Sequence, residues 1–85
     1  MTIALAQHVS IAETEHGMVL LDQRTGRYWQ LNGTGATVVR TLQDGGTVDQ
    51  AISGLTERFP DAATRVAADV SALVDSLRAA RMLAS

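Results

Sequence analysis

The chain carries two histidines, His8 and His16, with Glu13 and Glu15 close to them in sequence, so metal binding is the first chemistry to weigh. A zinc site takes three or four ligands at constrained spacing, with further groups orienting each imidazole. Two histidines eight residues apart beside two glutamates do not meet that pattern, and they read as surface histidines. Nucleophilic catalysis fares no better. Ser10, Ser53, Ser71 and Ser76 supply hydroxyls, yet none sits in the G-x-S-x-G context that lifts a serine onto a tight strand-to-helix turn. The absence of cysteine removes thiolate nucleophiles, sulfur-ligated metals and disulfides together. Asp69 and Asp75 are six apart, which puts them on different sides of a helix and leaves no dyad to share a proton. Gly33-Thr34-Gly35 opens like a nucleotide loop, but the third glycine of G-x-G-x-x-G and any following Lys-Ser/Thr are missing. No catalytic residue, metal or cofactor is expected.

What remains is a recognition segment. Arg27-Tyr28-Trp29-Gln30-Leu31 holds the single tyrosine and the single tryptophan of the chain. On a strand their side chains point to opposite faces, so one ring can join the core while the other is exposed. An edge strand also presents unpaired N–H and C=O groups to an incoming extended peptide. Taken alone, the same residues could equally fill a small core.

The elements that would position this segment follow from periodicity and turn chemistry. Residues His8 to Thr14 alternate Val9 and Ile11 with polar or small neighbours, and Met18 to Asp22 is a short apolar run between turn formers, so both are strands. Gly26 closes a turn into a third strand at Arg27 to Leu31. Asn32 or Thr34 can cap a short helix over Gly35 to Gln43, whose Val38, Val39 and Leu42 form one stripe. Thr47-Val48-Asp49-Gln50 is a capping box that starts a second helix. Val48, Ala51, Ile52, Leu55 and Phe59 form its core face up to Pro60, and Gly54 is a place where a neighbour could approach closely. Asp61 is expected to cap a third helix, whose stripe of Val66, Val70, Leu73, Val74 and Leu77 runs on toward Met82 and Leu83. Three strands and then three helices with short connections give an α+β meander laid against a small helical bundle.

Composition narrows the function classes. At 85 residues the chain supports one modest core, so residues 1–85 are expected to form a single domain. Its 46% hydrophobic and 19% charged content is that of a globular protein. All seven basic residues are arginines, scattered among nine acids for a net charge of −2, which argues against nucleic acid. No apolar run approaches the roughly 20 residues of a membrane span, and the first residues lack a signal-peptide pattern. No membrane association is expected, and a cytoplasmic location is.

The segment from Leu20 to Gly35 resembles the PqqD-like pattern of a hydrophobic-Asp turn, T-G-x-Y and L-N-x-T-G. The resemblance continues through Asp44-Gly45-Gly46, the helix start at Thr47 to Ile52 and the D-V-x-x-L-V-x-x-L run from Asp69 to Leu77. It implies a winged-helix-like α+β fold, a three-stranded antiparallel sheet followed by three helices. It further implies recognition of the leader region of a ribosomally made precursor peptide, which lies antiparallel to strand three in a groove walled by helix three. Carried onto this sequence, the strand wall is Arg27, Tyr28, Trp29, Gln30 and Leu31, and the helix wall is Val66, Asp69, Val70, Leu73 and Leu77. Arg27 or Asp69 would fix register by pairing with leader charges. Val39 departs from the family, where many relatives carry a large aromatic, so the core around helix one is repacked. The chain looks most like the recognition protein of a lasso-peptide pathway, whose partner is a separate leader peptidase, a transglutaminase-like cysteine protease. Alternatives are a partner of a radical enzyme in another modified-peptide pathway and a winged-helix DNA-binding regulator.

Overall fold

Alternating apolar residues build β1 (Val9–Thr14), and a turn at Glu15 and His16 returns the chain as β2 (Gly17–Asp22). The computed structural model describes residues 5–84. β3 (Tyr28–Asn32) completes a sheet in the order β1-β2-β3, antiparallel at both pairings. The register sets Leu20 between Ile11 and Trp29, so one face turns Leu20, Trp29 and Ile11 toward the core. Leu21 and Tyr28, opposite each other on the other face, are exposed.

The β2-to-β3 turn is organised by Asp22, only 2% exposed. Its carboxylate accepts from the Arg24 backbone N–H at 2.9 Å and from the Arg24 guanidinium at 3.3 Å. The Arg24 side-chain hydrogen bond holds the Asp22 carboxyl below its ordinary value, against the opposite pull of burial. Gly26 donates to the Asp22 carbonyl at 2.8 Å and sits at φ 77°, a region glycine enters without steric cost.

Asn32 ends β3 and caps α1 (Gly33–Gln43), accepting from the Gly35 N–H at 2.9 Å. The helix therefore starts two residues before the expected Gly35. Arg40 on α1 grips Glu13 on β1 with two hydrogen bonds of 2.9 and 2.8 Å, which lowers the Glu13 carboxyl below its ordinary value. The capping box of α2 (Val48–Arg58) forms as the sequence predicts. Thr47 N–H donates to Gln50 Oε1 at 2.8 Å, and Gln50 N–H donates to Thr47 Oγ1 at 3.1 Å.

Four expectations are corrected beyond this point. Asp61 does not cap helix three: a 3-10 turn at Pro60–Ala62 runs straight into α3 (Ala63–Ala79), and Ala62 stands at the cap position with no side-chain bond. Phe59 is 45% exposed rather than core, because the residue before Pro60 leaves the helix at φ −131° and ψ 66° and swings its ring outward. Gly54 has no neighbour within 4 Å of where a Cβ would stand, so it marks no close approach. The apolar run at Met82 and Leu83 is buried but not helical. Arg81 turns the chain at φ 59°, Met82 N–H donates to the Leu77 carbonyl at 2.9 Å, and Leu83 pairs with Leu5.

The core is aliphatic and lies between the sheet and the helices. Met18, Leu20, Val38, Val39, Leu42, Leu55, Val70, Leu77 and Met82 are essentially sealed from solvent. Val39 is fully buried. No helix among the described residues is long and apolar enough to cross a membrane.

Candidate functional site

β3 is the outer strand of the sheet on the side away from β1. Which of its backbone groups are free follows from one bond: Asp22 N–H donates to the Arg27 carbonyl at 2.8 Å, so the Arg27 carbonyl faces β2. Backbone groups of successive strand residues alternate in direction. Trp29 and Leu31 therefore also face β2, and the N–H and C=O of Tyr28 and Gln30 point outward from the sheet.

Something can reach them. Every Cα of α3 stays more than 8 Å from those of β3, whereas neighbouring strands lie about 4.8 Å apart. A groove of about 530 Å³ fills the interval between β3, the start of α1 and the first half of α3. Its floor is apolar, with Leu31, Val38, Val66 and Val70, and Leu73 lies along its wall. The rim is charged: Arg65 and Asp69 pair at 3.7 Å, and both are exposed.

Of the residues expected to form the site, Gln30, Leu31, Val66, Asp69, Val70 and Leu73 line this groove. Val70, 1% exposed, contributes only its surface to the floor and is otherwise core. Leu77 is 0% exposed and lies in the core, not on the groove wall, because α3 has rotated that position onto the inner stripe of Val66, Val70 and Val74. Tyr28 is 69% exposed on the outer face of the sheet. Trp29 packs half-buried against the core, and the Arg27 guanidinium lies 5.0 Å from the centroid of its ring. The two aromatic residues thus separate, one inward and one outward, as strand alternation requires.

The groove also includes residues that sequence reasoning did not assign to it: Asn32, Thr34 and Gly35 at the start of α1, and Phe59, Ala62 and Arg65 where α2 gives way to α3. Phe59 carried a readable signal, its place before Pro60, which excludes the helical conformation that would have turned it inward. Histidine is not part of the groove. His16 is fully solvated, while His8 Nε2 donates to the Arg81 carbonyl at 3.0 Å and so is not a free surface histidine.

The family model described as "Coenzyme PQQ synthesis protein D (PqqD)" matches residues 17–83. No curated protein matches the chain. Among solved structures, one described as "Lasso peptide synthetase B1 complexed with the leader peptide" shares 39% identity at a TM-score of 0.87, over 100% of both chains. Another, "TbiB1 in Complex with the TbiA(beta) Leader Peptide", has 20% identity and a TM-score of 0.85 over 96% of this chain and 95% of that one, and shows the same fold.

Proposed function

From the premise that this chain belongs to the PqqD family, we propose that it binds the leader of a ribosomally made precursor as an added strand along β3 and holds it for a separate leader peptidase of a lasso-peptide pathway. The observation that carries this reading is the free main-chain edge at Tyr28 and Gln30, open onto an apolar groove. Main-chain bonds supply attachment that tolerates sequence change, and pockets for alternate side chains supply selection. The 39% identity to a leader-bound synthetase B1 over the whole chain supports the same occupant.

The geometry specifies the ligand further. In an antiparallel addition, leader residues opposite Tyr28 and Gln30 make the backbone bonds, with their side chains on the outer face. Leader residues opposite Trp29 and Leu31 point into the groove, so two apolar anchors spaced two apart are selected. The N–H groups of those anchors point away from β3, so proline is tolerated at these positions.

The role is recognition without catalysis. The leader is bound in the cytoplasm, and a transglutaminase-like cysteine protease that docks on the complex meets its substrate at raised effective concentration. A DNA-binding role has little support, because the chain carries a net charge of −2 and the exposed Arg65 and Arg78 of α3 are each paired with an acid, Asp69 and Asp75.

The direct test is titration with the fluorescent leader of the 39% identical synthetase B1, beside a scrambled peptide and a duplex DNA. Selective saturable binding, with NMR shifts on β3 and α3, is expected. Equal binding of the scrambled peptide, or shifts that avoid both elements, would overturn the reading.

A further inference from the structure

The leader edge that β3 does not use must find partners of its own. Leader residues opposite Trp29 and Leu31 turn their carbonyls away from β3, across the groove toward α3. A carbonyl that loses water there without gaining a donor costs free energy. The far wall is built from Ala62, Arg65, Val66, Asp69, Val70 and Leu73. The helix backbone is committed to its own ladder, and among these six side chains only Arg65 carries a donor.

Arg65 is free to use it. Its Nε stands 3.7 Å from Asp69 Oδ2, beyond hydrogen-bond reach, and the two side chains are 84% and 65% exposed. Asp69 shares a helical stripe with Ala62 and Leu73, so a guanidinium beside its carboxylate also lies beside the groove. Along the groove, Arg65 belongs to the end where Leu31 lies. There the first half of α3 stands across from the last residues of β3 and the first turn of α1. The other end of α3 has crossed to the far side of the sheet, where the His8 ring, just before β1, bonds to the Arg81 carbonyl at 3.0 Å.

We infer that Arg65 donates to the main-chain carbonyl of the leader residue opposite Leu31. The bound peptide is then held along both edges, by the backbone of β3 on one and by a guanidinium on the other. The inference rests on strand addition to β3. A guanidinium suits this place, because a charged donor makes a stronger bond than a neutral one and its fork of N–H groups is weakly hydrated. Such a contact is indifferent to leader side chains. It also survives proline, which lacks the N–H but keeps the carbonyl.

The test uses the leader of the 39% identical synthetase B1, made with each main-chain carbonyl replaced in turn by a thiocarbonyl, whose sulfur is the weaker acceptor. Arg65→Met keeps an apolar stem and removes the donors. It should fold, since Arg65 is exposed, and bind the all-amide leader about tenfold more weakly. A thiocarbonyl at the residues opposite Tyr28 and Gln30 should weaken both proteins alike. At the residue opposite Leu31 it should weaken the wild type and leave Arg65→Met unaffected. Equal effects in the two proteins at every position, or normal binding of the all-amide leader by Arg65→Met, overturn the inference. So does a loss that vanishes when every Asp and Glu of the leader is replaced by its amide, which would make Arg65 a reader of leader carboxylates. If the folded wild-type protein does not bind the all-amide leader, strand addition itself fails, and this inference with it.

Discussion

Leu73 stands half-buried on the groove wall, while Val70 and Val74 on either side of it are sealed in the core. A charge at Leu73 remains hydrated in the free protein and loses that hydration when an apolar leader side chain arrives. Leu73→Glu should therefore keep its circular dichroism spectrum and lose at least tenfold in leader affinity, about 1.4 kcal/mol. Normal binding by the folded variant would move the groove off this helix. The same change at Val70 would bury an unpaired charge and unfold the chain, so it cannot test binding. Asp22 offers a test by pH. Its carboxyl is held below the ordinary value of 3.8, so its contribution is complete above that value and drains away as pH falls through the lower value of the folded state. Asp22→Asn should cost stability at neutral pH, and its deficit should shrink as urea midpoints are measured toward pH 3. A deficit constant across that range would show that the charge of Asp22 is not what holds the turn.

At the scale of elements, the β3 edge makes a prediction about the ligand backbone. N-methylation of the leader residue opposite Gln30 or Tyr28 removes a donor to the sheet and should weaken binding about tenfold or more. Methylation of the residues opposite Trp29 and Leu31 should be tolerated, because those N–H groups point away. A flat response along the peptide would exclude strand addition. The elements themselves were legible where local chemistry decides: Thr47 and Gln50 marked the start of α2, and Gly26 the turn before β3. They were less legible where tertiary context decides. Nothing local distinguishes Leu73 from Leu77, since both fit the apolar stripe, and only the tilt of α3 against the sheet puts one in the groove and the other in the core. Asp61 looked like a cap because the sequence did not reveal a 3-10 turn continuous with α3. The buried state of Asp22 was likewise hidden, as its partner Arg24 lies inside what read as an ordinary polar turn.

For the whole molecule, a core of aliphatic side chains in so short a chain leaves a modest stability margin. A ligand that binds only the folded form adds to that margin by mass action. Leader at about 100 times its dissociation constant should add about 2.7 kcal/mol and raise Tm by about 10 °C or more, read by scanning calorimetry or circular dichroism. A scrambled peptide should leave Tm unchanged, and a shift of equal size with it would identify nonspecific association.

The pairing of Leu5 with Leu83, backed by the Ala6 N–H to Met82 carbonyl bond of 2.9 Å, closes the described fold into a near loop. Covalent order along the chain is then separable from the arrangement in space. A circular permutant that joins residue 84 to residue 5 through a few glycines and opens between Gly45 and Gly46 should fold and retain the groove, since that opening lies between α1 and α2. By the same token, the fold could be spliced into a loop of a larger host protein, entering and leaving at nearly one point, without disturbing the edge that reads the peptide.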